Sequence, residues 1–258
     1  MLISHEVPFS LLEQSRTFNE YDYSLVHLFD NHPNYYQFFV DSLKMGRKVI
    51  LDNSVFELEE AFDSTRFANW VRELNPTEYI IPDVLDNGPA TIESCKNWID
   101  EYYDLPGKMI GVIQGSTVAE ALECYAAIAP LVDKVAISFN CKFYPELHPH
   151  ENKLVSWMRG RQMFIDMLIE EDLLYPDRMF HMLGCSLPQE FLHYKTGYDF
   201  IESVDTSNPI VHAINNISYS EYGLLDKVST KMINYLQYDE IDSIILQHNI
   251  NTFRSFVK

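Results

Sequence analysis

The sequence predicts a single α/β domain that folds as a (β/α)8 barrel of the TIM type. The chain has 258 residues, 47% of them hydrophobic, which is enough to bury one large core. Short β-rich runs alternate with longer helical patterns from about residue 24 onward, as is typical of parallel sheets built from βα units. Neither an internal repeat nor a low-complexity linker interrupts the pattern, so we assign residues 1–258 to one domain.

The predicted strands are short apolar runs, most of which end at a polar or small residue. Seven runs fit this description: Ser24–Phe29, Lys48–Leu51, Glu78–Ile81, Met109–Ile113, Lys134–Phe139, Met179–Leu183 and Tyr198–Val204. Their spacing favours a barrel over a sandwich. Two segments compete for the eighth strand, Leu2–Val7 at the N-terminus and Pro209–Ile214 after the seventh run.

Helical patterns fill the intervals between these strands. The longest are Phe62–Leu74, Ala90–Tyr103, Val118–Ile128 and Lys153–Glu171. Ser64 and Ser116 stand where the N-cap of two of them is expected. Two further helices, near Tyr222–Tyr238 and Glu240–Gln247, are expected to cover the outside of the barrel.

The charge of the chain limits the classes of function. The formal net charge of −19 argues against a surface that is basic overall, which is the usual footprint of a nucleic-acid-binding protein. Short basic groups still occur at Arg47–Lys48 and at Lys153, Arg159 and Arg161, and each is expected to be a solvated helix end or part of a local basic face.

The cysteines and the apolar runs indicate the cellular compartment of the protein. The four cysteines form no C-x-x-C pair, so they predict neither a zinc site nor a disulfide framework, and we expect reduced structural thiols at Cys95, Cys124, Cys141 and Cys185. No apolar run reaches membrane-spanning length, and Met1–Glu6 lacks the features of a signal peptide. We therefore expect a cytoplasmic protein without a membrane partner.

Polar or small residues follow almost every predicted strand. The C-terminal strand ends of a parallel barrel converge on one mouth, so we expect a polar pocket there. Its expected members are Asp30, Asp52, Asn53, Ser54, Asp83, Gln114, Gly115, Ser116, Asn140, Gly184, Cys185, Ser186, Glu202 and Asp205. A single such residue is most simply a helix cap or a turn residue, but several aspartates at one mouth repel one another and indicate a functional site.

Such a pocket offers many hydrogen-bond acceptors and few cations, which suits a ligand rich in N–H donors. A guanine-like base presents N1–H and an exocyclic amine side by side, and one carboxylate can accept both. Gln114 and the backbone N–H of Gly115 are candidate donors to O6 of that base. The competing interpretation is a metal site built from Asp30, Asp52 and Asp83, although no histidine or second carboxylate lies at ligand spacing beside them.

In their order along the chain, these motifs resemble those of the tRNA-guanine transglycosylases, and more closely the shorter bacteriophage enzymes that exchange guanine for 7-deazaguanine bases in DNA. Leu51–Glu57 is similar to the family's L-D-S-G-G-F/Y-Q segment, with Ser54 and Val55 in place of the glycines. Gly111–Gly115 is similar to G-I-V-Q-G, and His181–Pro188 to Y-L-M-G-V-G-x-P.

The resemblance implies a role for each matched residue. Asp52 would act as the general base, and Phe56 would stack on the base opposite Leu183. Asp83 would read the guanine edge, and Gln114 would hydrogen-bond the base.

A further match, and the nucleophile, are less well defined. Val135–Asn140 falls where the family has an A-V-G-G-L run, with Phe139 in place of a glycine. For the nucleophile, one register aligns Gly197–Val204 with the family's G-I-D-M-F-D-C-V and selects Glu202. The other keeps the proline that follows the aspartate and selects Asp205, which we prefer.

The resemblance also implies the partners. No cofactor is expected, because the energy of the glycosidic bond is conserved in an exchange. Nothing after Cys185 can form the family's zinc site of three cysteines and a histidine, which favours DNA over tRNA as the substrate. We expect DNA and the free 7-deazaguanine base as partners, with tRNA as the alternative. A non-catalytic guanine-binding subunit with a partner protein, a homodimer and a metal-dependent barrel hydrolase stay open.

Overall fold

The computed structural model describes residues 1–228 and 232–258. Eight parallel strands form one sheet, curled into a nearly closed barrel in the order β1-β8-β7-β6-β5-β4-β3-β2, and this confirms the predicted (β/α)8 fold. The strands are β1 (Leu2–Ser4), β2 (Asp22–Leu25), β3 (Val49–Asp52), β4 (Glu78–Ile80), β5 (Lys108–Ile113), β6 (Lys134–Ser138), β7 (Met179–Leu183) and β8 (Ile201–Asp205).

Helices alternate with the strands and cover the outside of the sheet. In the described part of the chain the α-helices are α1 (Leu12–Ser15), α2 (Pro33–Lys44), α3 (Val55–Leu58), α4 (Ser64–Leu74), α5 (Gly88–Glu101), α6 (Val118–Ile128), α7 (Tyr144–Leu147), α8 (Lys153–Glu170), α9 (Asn208–Ile214) and α10 (Ser243–Val257). Short 3-10 helices lie at Phe9–Leu11, Val26–Leu28, Pro188–Lys195 and Met232–Tyr235. No described helix has the length and apolar character needed to cross a membrane.

The first predicted strand is displaced in the structure. Instead of Ser24–Phe29, the strand is β2, and the chain then turns into the 3-10 helix Val26–Leu28. Phe29 is buried beyond that turn, where its ring packs against Tyr36 and Trp70. Ser24–Phe29 is apolar because its residues are buried both before and after the turn. Apolarity alone does not distinguish a buried turn from a continuous strand.

The eighth strand is the N-terminal segment. Leu2–Ser4 pairs in parallel with β8, whereas the competing segment Pro209–Ile214 lies within α9. Pro209 occupies the first turn of that helix, where a missing backbone N–H costs no hydrogen bond.

Two predicted N-caps are wrong by one residue. Asp63, and not Ser64, caps α4, and Thr117, and not Ser116, caps α6. Each capping side chain accepts a hydrogen bond from the backbone N–H three residues later, at 2.8 Å and 3.2 Å respectively. Neighbouring polar residues compete for a cap, and the backbone angles that decide between them are not visible in the residue types.

The tail differs from the prediction. Residues 222–228 and 232–238 contain no α-helix, only the 3-10 helix Met232–Tyr235, and residues 229–231 of the predicted Tyr222–Tyr238 helix lie outside the described residues. The predicted Glu240–Gln247 helix begins later and runs further, as α10. It packs against α9 and the 3-10 helix Pro188–Lys195.

The barrel has one seam. Within the described residues no ladder joins β1 to β2. Two side chains satisfy the free edge of β1 instead: Glu20 Oε2 accepts from the N–H of Ile3 at 2.9 Å, and Asn19 Oδ1 accepts from the N–H of His5 at 2.7 Å. The backbone N–H of Glu20 also donates to the carbonyl of Ile3.

Charged side chains close the N-terminal end of the barrel. Glu78 and Lys134 are the first residues of β4 and β6, and Lys134 Nζ lies 2.6 Å from Glu78. Lys48 Nζ lies 2.9 Å from Glu78 and 3.1 Å from Glu202, and Lys134 also contacts Glu202. We call these four residues the basal ion network; two ammonium groups and two carboxylates balance within it.

Candidate active site

A pocket opens at the C-terminal ends of the strands, at the mouth of the barrel. It encloses about 810 Å³, including its opening to solvent. Nine of the residues predicted from the sequence line it: Asp52, Asn53, Phe56, Asp83, Gln114, Leu183, Gly184, Cys185 and Asp205. The structure therefore brings most of the predicted site together.

Seven of the residues expected at the mouth do not line this pocket: Asp30, Ser54, Gly115, Ser116, Asn140, Ser186 and Glu202. Glu202 belongs to the basal ion network at the opposite end of the barrel. Asn140 lines a neighbouring groove that shares Phe56 and Gln114 with the pocket. Gly115 packs under α6, where a Cβ atom would come within 2.7 Å of the backbone nitrogen of Ala121, so its position serves helix packing.

The three aspartates of the alternative metal site do not converge. Asp30 follows the displaced β2 turn and contacts Arg66 and the indole Nε1 of Trp70, away from the pocket. Across residues 1–228 and 232–258 no group of three His, Cys, Asp or Glu side chains is placed to hold a metal ion.

Asp83 is fixed by two amides. Its Oδ1 accepts from Asn53 Nδ2 and its Oδ2 from Gln114 Nε2, both at 2.7 Å. Gln114 Oε1 in turn accepts from the backbone N–H of Asp86 at 3.0 Å. Burial raises the pKa of Asp83, and the two amide hydrogen bonds act against that rise. The carboxylate is thus held in one orientation, with further lone pairs available to a ligand.

Asp52 has a different environment. Burial raises its pKa well above the usual value, and the nearby carboxyl groups of Glu57, Asp205 and Asp83 add to the rise. One hydrogen bond acts against it, from the backbone N–H of Ser54 to Oδ2 at 3.1 Å. A carboxyl group with a raised pKa keeps its proton to higher pH than an ordinary aspartate does, which suits it to proton transfer.

The loop after Asp52 keeps a backbone that glycine favours. Ser54, which stands where the resemblance expects a glycine, has φ 60° and ψ 21°, in the left-handed region. Ser54 therefore adopts a backbone conformation that glycine usually supplies.

Asp205 ends β8 at the floor of the pocket. Its Oδ1 accepts a 3.3 Å hydrogen bond from the N–H of Gly184. His181 Nε2 lies 3.0 Å from the same oxygen, without the geometry of a hydrogen bond. The imidazole is held from its other side, because Nδ1 lies 2.9 Å from the hydroxyl of Ser203 and the ring stacks on Tyr23 at 5.8 Å.

Aromatic side chains form one wall. Phe56 meets Phe139 edge to face at a centroid distance of 5.7 Å. Phe139 in turn presses on Gly184, where a Cβ atom would come within 2.4 Å of its ring, and Gly184 has φ +63°. Glycine is required there for both reasons.

Glu6 also lines the pocket and is not among the residues predicted from the sequence. The register Ser4↔Asp205 brings the segment after β1 beside Asp205, and Glu6 is half-buried there. Burial, and then the charges of Asp205 and Asp52, raise the pKa of Glu6 well above its usual value. The sequence could have indicated Glu6, because choosing Leu2–Val7 as the eighth strand places the carboxyl group of Glu6 at the mouth of the barrel.

Lys227 is the second missed member. Its Nζ donates to the carbonyl of Cys185 at 2.7 Å and lies 4.0 Å from the centroid of the Phe139 ring. Burial lowers its pKa to about 8. Lys227 belongs to a loop after α9, and no motif in the sequence connects that loop with the barrel mouth.

Three of the basic side chains noted in the sequence are paired within the fold, whereas Lys153 and Arg159 are exposed on α8. Arg47 pairs with Asp22, and Lys48 belongs to the basal ion network. Arg161 is fully buried and pairs with Glu190. Their charges are balanced inside the fold.

The pocket thus brings together three acidic residues in different environments: Asp83 held by two amides, Asp52 with a raised pKa, and Asp205 at the end of β8. No family model matches the chain, and no curated protein matches it either.

Proposed function

We propose that this protein exchanges a guanine base in DNA for a 7-deazaguanine base through a covalent glycosyl–enzyme intermediate. The observation that supports this most is the meeting of Asp52, Asp83 and Asp205 in one pocket with three different environments. Two carboxyl groups with different roles are what double-displacement glycosyl transfer requires.

Recognition of the base falls to Asp83 and Gln114. The carboxylate of Asp83 accepts from N1–H and the exocyclic amine of guanine, a pair that adenine does not present. Gln114 Nε2 uses one hydrogen on Asp83, and its second hydrogen is available for O6 of the base. Phe56 and Leu183 provide apolar faces for the ring.

The first displacement uses Asp205 and Asp52. A carboxylate oxygen of Asp205 attacks C1′ of the sugar while the bond from C1′ to N9 breaks, and the electron pair of that bond leaves with the base. Asp52 gives its proton to the departing guanine. The product is a glycosyl ester on Asp205, free guanine and an ionised Asp52.

The second displacement reverses the first. Asp52 takes the N9 proton of the incoming 7-deazaguanine, and that nitrogen attacks C1′ and releases the carboxylate of Asp205. Two inversions at C1′ retain the configuration of the sugar. The target base must leave its stack to reach the pocket, at a cost of a few kcal/mol, which stacking on Phe56 partly offsets.

The test is release of labelled guanine from DNA in the presence of a 7-deazaguanine. We expect Asp205→Ala to lower turnover by about 10⁴-fold or more, because it removes the nucleophile. Asp52→Asn should cost about 10²- to 10⁴-fold. Glu202→Gln is the matched control and should retain turnover, because that residue belongs to the basal ion network.

Other outcomes decide between the alternatives. Exchange in tRNA alone would move the substrate from DNA to tRNA. Guanine binding without turnover, and without a covalent adduct on the wild-type protein, would make this chain a binding subunit and overturn the proposed catalysis.

A further inference from the structure

Two aromatic side chains in contact, each with a lysine over its ring, extend outward from the pocket. Lys227 Nζ lies 4.0 Å from the centroid of Phe139, and Phe139 meets Trp157 edge to face at 5.9 Å. Lys153 Nζ lies 4.3 Å from the centroid of Trp157. We call these four residues the lysine–aromatic strip.

The strip runs from the interior of the pocket to the surface. Lys227 and Phe139 line the pocket, whereas Trp157 and Lys153 do not. These two belong to the first turns of α8, Trp157 half-buried and Lys153 exposed. Asn152 Nδ2 donates to the carbonyl of Leu225 at 3.0 Å and so ties the loop of Lys227 to the start of α8.

The charges around the mouth favour the lysine–aromatic strip as the route for a negatively charged chain. The side chains that line the pocket include five carboxyl groups, of Glu6, Asp52, Glu57, Asp83 and Asp205. Among the described lining residues Lys227 is the one Lys or Arg. A phosphodiester chain is repelled by the acidic walls and attracted along the strip, even though the whole chain carries −19.

We propose that the lysine–aromatic strip binds the single strand of nucleic acid next to the base held in the pocket. Phosphates pair with Lys227 and Lys153, and the neighbouring base stacks on Trp157. The ammonium of Lys153 lies over that indole in the free protein, so the base displaces it toward a phosphate. Stacking of this kind needs an unpaired base, which makes single-stranded nucleic acid the substrate. This inference rests on the proposed function.

The test is the affinity for a fluorescently labelled single-stranded oligodeoxynucleotide, measured by anisotropy at several salt concentrations. Trp157→Ala should weaken binding by about 5-fold to 150-fold, the loss of one stacked base. Lys153→Met should reduce the slope of log K against log salt by about 0.7, the loss of one phosphate contact on a single strand. Lys153→Glu, at an exposed position, should weaken binding further without loss of folding.

Matched controls lie elsewhere on the surface. Tyr103→Ala removes an aromatic ring that is 84% exposed, and Lys96→Met removes an exposed lysine on α5. Neither should change the affinity by more than about two-fold. Binding of free guanine, measured by calorimetry, should be the same in the wild type, Trp157→Ala and Lys153→Met, because the two residues lie outside the pocket.

The failures of the two proposals are distinguishable. Equal affinity for duplex and single-stranded DNA, or equal effects of Trp157→Ala and Tyr103→Ala, would overturn the role of the strip. If guanine does not bind but oligonucleotide binding still depends on Trp157 and Lys153, the proposed base exchange is wrong and the proposed role of the lysine–aromatic strip is supported.

Discussion

The ionised carboxylate of Asp52 opposes folding. Burial first, and then Glu57, Asp205 and Asp83, raise its pKa in the folded protein above its value of 3.8 in the unfolded chain. The folded state therefore holds this proton more tightly than the unfolded state does. The resulting stability is present at low pH and is lost as pH rises through the raised pKa.

We predict that Asp52→Asn makes the protein more stable at pH 8, while lowering the rate of exchange as stated above. The gain should be on the order of 1 kcal/mol, a common result of relieving strain in an active site. The difference from the wild type should shrink as pH falls below the raised pKa of Asp52. Thermal unfolding of both proteins between pH 4 and pH 8.5 tests this, and a less stable D52N at pH 8 would contradict it.

Glu202 shows the opposite linkage. Partial burial alone would raise its pKa, but Lys134 and Lys48 outweigh that effect and lower the pKa to about 2, from 4.5. A lowered pKa in the folded state contributes stability above about pH 4.5, and that stability is lost as pH falls toward 2.

We predict that Glu202→Gln lowers the midpoint of thermal unfolding at pH 7 by a few degrees and leaves base exchange intact. The difference from the wild type should narrow as pH falls from 4.5 toward 2. Guanine release and calorimetry on the same preparations measure both effects. A loss of exchange with no change in the midpoint would reverse the assignments of Glu202 and Asp205.

At the scale of elements, the guanidinium group of Arg161 connects α8 to the strand ends that form the pocket. Arg161 Nη1 donates to the carbonyls of Ile137 at 3.2 Å and Leu183 at 3.0 Å, and Nη2 donates to that of Gly184 at 3.1 Å. Its Nε donates to Glu190 at 2.6 Å. The ends of β6 and β7 and the 3-10 helix Pro188–Lys195 are therefore held by a single side chain.

We predict that Arg161→Met destabilises the protein by about 3 to 5 kcal/mol, because it leaves Glu190 buried and unpaired. The double variant R161M/E190Q should recover part of that loss. Denaturant unfolding of the single and double variants measures both values. Equal stabilities for the two variants would show that the carbonyl contacts, and not the ion pair, dominate.

Strands that appear in the sequence as short apolar runs were predictable, and so were the pocket residues that directly follow those runs. Asp52, Asp83 and Gln114 come after short buried apolar runs, and all three line the pocket. Glu202 and Asp205 occupy the same strand, where three residues span about 10 Å, and the residue types do not say where a strand ends. Lys227 reaches the mouth through tertiary packing of a loop, which leaves no pattern in the sequence.

At the scale of the whole molecule, charge is distributed unevenly. The basal ion network balances its own charges, while the mouth gathers carboxyl groups around one lysine, and the chain as a whole carries −19. Self-repulsion of this size opposes the compact state and is screened by salt.

We predict that the midpoint of thermal unfolding at pH 8 rises as NaCl is increased from about 10 mM to about 200 mM, over which the screening length falls from about 30 Å to below 10 Å. The rise should be smaller at pH 5, where part of the acidic charge is neutralised. A midpoint that falls with salt would mean that attractive surface pairs outweigh the repulsion.

The seam between β1 and β2 makes one side of the pocket easier to widen than the others. Elsewhere around the barrel, ladders of backbone hydrogen bonds join neighbouring strands, whereas at the seam the backbone hydrogen bond from Glu20 to Ile3 and the side chains of Asn19 and Glu20 take their place. Glu6 and Tyr23 line both the pocket and a second cavity that extends along this seam. In the proposed exchange, a larger incoming base would be accommodated on this side of the pocket, where no ladder of backbone hydrogen bonds joins the described strands.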